Sequence, residues 1–68
     1  MSKQAEIAKF EGKLVGRYGG QNLYEIEVDQ GDGITFVYEI TESDLVWLND
    51  NNKSKWEVKY VASLVREK

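Results

Sequence analysis

The sequence predicts a mainly β domain, a small open barrel of about four antiparallel strands with one short helix. Three observations predict it. Apolar and polar residues alternate with period two through residues 8–18, 24–28 and 34–41, the spacing of strands with one buried face. Glycine-rich breaks at Gly19-Gly20 and Gly31-Asp32-Gly33 separate those runs. One short stretch, Thr41 to Asn49, has a helix start and an Asp50-Asn51-Asn52 stop.

The first strand places Ala8, Phe10, Gly12, Leu14, Gly16 and Tyr18 inward. Its two interior glycines point to a bend or bulge of the kind that closes a small barrel. After the Gly19-Gly20-Gln21-Asn22 turn, the second strand turns Tyr24, Ile26 and Val28 inward. The third does the same with Ile34, Phe36, Tyr38 and Ile40. All these inward residues are even-numbered. Facing residues share a side, so both turns are expected to hold three or five loop residues rather than two.

Thr41 offers a capping hydroxyl to the helix, and Glu42 and Asp44 suit its positive end. The tail alternates again, with Trp56, Val58, Tyr60, Ala62 and Leu64 inward. Its β-branched and aromatic content favours a strand. A helix would group Trp56, Tyr60 and Leu64 almost as well, leaving as the alternative an α+β arrangement: a three-stranded meander with a C-terminal helix.

Sixty-eight residues make a single domain, 1–68. With no cysteine and no histidine, disulfides, thiolate chemistry and the commonest zinc ligands are excluded. Stability must come from the core, to which the eight aromatics contribute most per residue, or from pairing with a second copy. The glycines lack phosphate-loop spacing. A calcium loop through Asp32 and Glu39 fails because Val28 would occupy its first ligand position. No serine sits in a nucleophile elbow, and the paired carboxylates follow from strand alternation. No enzyme activity, metal or cofactor is expected. The N-terminus has no apolar signal region, and Leu45-Val46-Trp47-Leu48 is far short of a membrane span. A cytoplasmic protein is expected.

The run Tyr24-Glu25-Ile26-Glu27-Val28, a Gly-containing turn, Phe36-Val37-Tyr38 and Glu42-Ser43-Asp44-Leu45 resembles the middle of Src-homology-3-like and Tudor-like small barrels. The resemblance covers residues 23 to 48. It implies a short helical turn leading into the last strand. It implies no ligand, because no aromatic cluster for proline-rich peptides can be placed.

Charge is segregated along the chain. Residues 18–50 carry eight acids and no base, while 51–68 carry five bases and two acids, within a net charge of −3. On the expected pairing, Lys13 faces Asp29 and Arg17 faces Glu25. In the helix, Leu45 and Leu48 fit the inward stripe, so Val46 or Trp47 should be exposed. These patterns predict a protein-binding adaptor or regulator, with Trp47 and Val46 as apolar anchors and Glu25, Glu27 and Glu39 steering a basic partner.

One alternative is a nucleic-acid-binding face. If the first and last strands are neighbours, Lys9, Lys13, Lys55 and Lys59 share a side, with Tyr18 near its rim. A pI near 4.8 and the inward parity of Trp56 count against it. Another is a nucleic-acid mimic: the acidic hairpin, its Asp-Gly turn and the Ser-Asp-Leu helix resemble small phage inhibitors of DNA-processing enzymes.

Overall fold

The computed structural model describes residues 10–68. It is a four-stranded antiparallel sheet in the order β1 (Lys13–Tyr18), β2 (Gln21–Gly31), β3 (Ile34–Thr41) and β4 (Ser63–Glu67). Helix α1 (Glu42–Asp50) and a 3-10 helix (Lys55–Tyr60) connect β3 to β4. The architecture is mainly β, with one short α-helix, as the alternation predicts. The sheet stays open: β1 and β4 are its opposite edges.

Both hairpin turns are shorter than expected. Tyr18 pairs with Gln21 and Gly31 with Ile34, leaving two-residue loops. Gly19, Gly20, Asp32 and Gly33 all have positive φ, between 55° and 83°. This is the turn whose twist matches the strands it joins. Such a turn pairs an odd residue with an even one, which would set core residues against solvent-facing ones. An extra residue in each hairpin removes the conflict: Val15 bulges from β1, and Gln30 from β2. Beyond each bulge, even pairs with even, as in Leu14 with Tyr24 and Val28 with Phe36. The inward parity holds along β2, β3 and the start of β1, but the bulge passes Gly16 and Tyr18 to the odd-numbered side with Leu23 and Gln21. The turn length inferred from parity does not hold. Lys13 accordingly faces Glu25 rather than Asp29, and Arg17 faces Asn22.

The core lies between one sheet face and the helices. Ile26, Val28, Tyr38 and Ile40 meet Leu45 and Leu48 of α1 and Val58 of the 3-10 helix. A nine-residue helix is only about 13 Å long, so it covers the middle of β2 and β3 and little else. Leu14, Tyr18, Ile34, Trp56, Tyr60 and Leu64, all expected inward, are exposed.

The helix is held at its start by a side chain distant in sequence and at its end by local backbone bonds. The Ser43 N–H donates to Gln21 Oε1 at 2.9 Å, whereas Thr41, the expected cap, makes no capping bond. At the other end, the Asn52 N–H donates to the Asn49 carbonyl and the Lys53 N–H to that of Leu48, with Asn52 at φ 55°. That is a Schellman closure with asparagine in the left-handed position. Asn49 also pins the N-terminal segment, accepting from the Phe10 N–H at 2.8 Å and donating to its carbonyl at 3.0 Å.

The tail is neither the single strand nor the single helix weighed from sequence. Ser54 opens the 3-10 helix in a capping box. Glu57 Oε1 accepts from both the Ser54 N–H and its hydroxyl. β4 then pairs with β3 around a third bulge at Val65.

Gly12 is where the chain passes closest to its neighbours. A Cβ there would sit 2.7 Å from Tyr24 Cβ and 2.9 Å from Leu45 Cδ2. Gly12→Ala should therefore destabilise the domain by about 1–3 kcal/mol, read as a lower urea midpoint at unchanged slope. Unchanged stability would mean that this segment does not pack between Tyr24 and α1.

Candidate functional site

The residues expected to form one partner surface lie on two sides of the molecule. α1 packs on the even-numbered face of the sheet, and Leu45 and Leu48 are buried there. Val46 and Trp47 point away from the core, 48% and 44% exposed. Glu25, Glu27 and Glu39 belong to the odd-numbered face. The sheet itself separates the expected anchors from Glu25 and Glu27, whereas Glu39 shares a depression with Asp44 of α1.

Two of those acids already have cationic partners. Arg66 Nη1 lies 3.3 Å from Glu25 Oε2, and Lys68 Nζ lies 2.8 Å from Glu27 Oε2. These bases start on or just beyond β4, and their partners are on β2, so the side chains reach across β3. Val37 is on β3, paired with Glu27 on one side and Arg66 on the other. It is fully buried although it lies on the polar face. Arg and Lys side chains cover apolar surface while their charges stay wet, and those of Arg66 and Lys68 cross the strand that carries Val37. Lys68 is further tied by its N–H to the Thr35 carbonyl. Glu39 has Glu25 opposite it and lines a shallow depression with Tyr18, Leu23, Asp44 and Ser63.

A different set of acids shares α1 with Trp47. Glu42 and Asp44 occupy the first turn of α1, Asp50 ends it, and its last turn holds no base. Val46, Glu42 and Ser43 line a shallow groove against the first hairpin, with Arg17, Gln21 and Asn22. That hairpin is fixed to the helix. Arg17 donates to Asn22 Oδ1 and to the Gly20 carbonyl, and Asn22 donates to Glu42 Oε1 at 3.2 Å.

No family model, characterised protein or solved structure matches this chain. Among the described residues, no group of three or more acids is placed to hold a metal ion, and no helix is long and apolar enough to cross a membrane.

The basic face expected from neighbouring first and last strands does not form. β1 and β4 are separated by two strands, and Lys55 and Lys59 are on the 3-10 helix rather than a strand. Lys13 sits across from Glu25, and Tyr18 is exposed at the first hairpin. Lys9 lies outside the described residues. Trp56, expected in the core, is 58% exposed, and Tyr60 is 75% exposed. Strand parity misplaced both. The Ser54-Lys55-Trp56-Glu57 capping box was the signal that a helical turn, not a strand, begins here.

The Lys68 hydrogen bond, then its charge, holds the Glu27 carboxyl below its ordinary value of 4.5, with smaller help from Arg66 and Lys13. A depressed native pKa stabilises the fold above the unfolded value. That contribution is lost as the pH falls from about 4.5 through the native value. Lys68→Ala should return the Glu27 titration, followed by carboxyl NMR, toward 4.5. It should also flatten the acid side of the stability profile. An unmoved Glu27 would mean that the ion pair does not form in solution.

Proposed function

We propose that this chain is a non-catalytic binding module, an adaptor or regulator of a larger protein, which docks through the outer side of α1. The exposure of Trp47 beside Val46 carries the reading. Leu45 and Leu48 already satisfy the core, so the fold has no need of two more large apolar side chains on this helix. Exposed aromatics ringed by polar residues are what interface anchors look like before binding.

The charges around them fit a basic partner. Glu42, Asp44 and Asp50 share the helix with Trp47. Asp50 ends it, where the helix dipole disfavours an anion. Folding gives no reason for an acid there, whereas steering a cationic surface does. The steering role passes from Glu25 and Glu27, which Arg66 and Lys68 occupy, to these helix acids together with Glu39. Lys53 stands over one side of Trp47, its ammonium 5.1 Å from the ring centroid, leaving the partner the ring edge and the Val46 side. An inhibitor that blocks a basic groove on its target is one form of this function. The lack of histidine and cysteine favours binding over catalysis.

Trp47→Ala is the deciding variant. Against a partner isolated on the immobilised chain, calorimetry should show a loss of about 2 kcal/mol or more, with thermal unfolding unchanged. Asp50→Asn should slow association and leave dissociation nearly unaltered. Binding that survives Trp47→Ala, or a Trp47→Ala chain that unfolds, would overturn this reading.

A further inference from the structure

The segment between α1 and β4 carries a second surface, which borders the α1 docking face only at Lys53. Residues 51–68 hold five bases. Arg66 and Lys68 are engaged across the sheet with Glu25 and Glu27. The other three each rest their ammonium group over an aromatic ring. Lys53 lies 5.1 Å from the centroid of Trp47, Lys55 5.6 Å from Trp56, and Lys59 5.5 Å from Tyr60.

The 3-10 helix builds this arrangement. Val58 is fully buried and fixes the helix to the core. Lys55 Nζ donates to the Asp29 carbonyl at 2.8 Å, holding its first turn against β2. With three residues per turn, Trp56 and Lys59 align along one side, and Glu57 and Tyr60 along the next. The rise of about 2.0 Å per residue sets Trp56 and Tyr60 about 8 Å apart along the axis. Glu57 is the one acid between Lys53 and Tyr60, and it is occupied: Oε1 by Ser54, and Oε2 3.8 Å from Lys53. Positive charge therefore coincides with two exposed rings on adjacent sides of the helix, each with a lysine over one face, in a chain whose net charge is −3.

We propose that this surface, formed by Lys53, Lys55, Trp56, Lys59 and Tyr60, binds single-stranded nucleic acid. The two rings stack on bases, and the lysines meet phosphates. Charge complementarity selects a polyanion, and the exposed rings select one whose flat faces are free. A duplex hides its base faces, and an acidic peptide would use the lysines but leave the rings idle. Lysines and ring faces read phosphate and base planes rather than base edges, so recognition is tolerant of sequence. This set replaces the Lys9, Lys13, Lys55 and Lys59 face expected from sequence, which the strand order rules out.

The test is fluorescence anisotropy of the full chain with a labelled oligothymidine of about 15 nucleotides, at about 50 and 200 mM salt. Three phosphate contacts predict a slope of about −2 in log K against log salt, hence about 20-fold weaker binding at the higher concentration. Stacking predicts quenched tryptophan fluorescence, and about a 10-fold loss for Trp56→Ala or Tyr60→Ala. Lys59→Gln, at an exposed position where folding is not at risk, should lower both affinity and salt slope. Lys13→Gln should change neither. Trp47→Ala should leave most of the oligonucleotide affinity while abolishing the protein docking above, so the two readings fail separately. No binding at low salt would overturn the proposal. So would equal binding to duplex, indifference to both Trp56→Ala and Lys59→Gln, or a protein that takes this surface while the oligonucleotide does not.

Discussion

The central strands of this sheet must keep Ile26, Val28, Tyr38 and Ile40 on the side where α1 lies, and that requirement organises the rest of the molecule. Two-residue turns with positive φ at both central positions are well matched to strand twist. By themselves they join an even position to an odd one, and a slip of one residue would turn a whole strand inside out. The chain keeps both the tight turns and the sidedness by adding one residue to each hairpin, at Val15 and Gln30. The Asp29 carboxylate supports the second bulge by accepting from the Gly31 N–H at 2.8 Å. A third bulge, at Val65, does the same for the pairing of β3 with β4. The bulges at Val15 and Val65 lie on the two edge strands, where such a kink also hinders pairing with another chain.

The opposite face shows how a small domain closes a second layer without a second set of helices. Val37 is buried there, on the strand that the Arg66–Glu25 and Lys68–Glu27 pairs cross. Surface ion pairs contribute little individually, so their main effect here is to tie the end of β4 to β2 across the sheet. The same contacts change the meaning of the charge segregation. The acids of β2 and the bases near the C-terminus are distant in sequence but meet across β3. Part of the acidic stretch is therefore internally balanced, and the acidity that remains belongs to the second hairpin turn, to α1 and to the strand end beside it.

Much of the fold was legible because period two is a local signal. Ile26, Val28, Tyr38 and Ile40 were placed inward by alternation alone, and they are the sheet's contribution to the core. Leu45 and Leu48 followed from their spacing, and the exposure of Val46 and Trp47 followed from the impossibility of burying four consecutive helical residues in one direction. Alternation failed after residue 54, where Trp56, Val58 and Tyr60 are two apart for reasons unconnected with a strand. Ser54 and Glu57, three residues apart, initiate a 3-10 turn instead, and only Val58 is buried. The Gly-Gly and Asp-Gly pairs were legible as tight turns too, but their signal conflicted with parity, and no local rule says that a bulge will reconcile them.

What the sequence determined by itself, then, is the three-stranded meander, the core side of its central strands and the helix that covers them. Each of these depends on residues within a few positions of one another. The tertiary structure decided which charges meet and which aromatics stay outside. Strand order put β1 and β4 at opposite edges, which dissolved one basic face. The path of the 3-10 helix gathered another from Lys53, Lys55 and Lys59, with Trp56 and Tyr60 beside them. Those outcomes depend on sheet register and on how far a nine-residue helix reaches. Both are properties of the packed chain that no stretch of sequence carries alone.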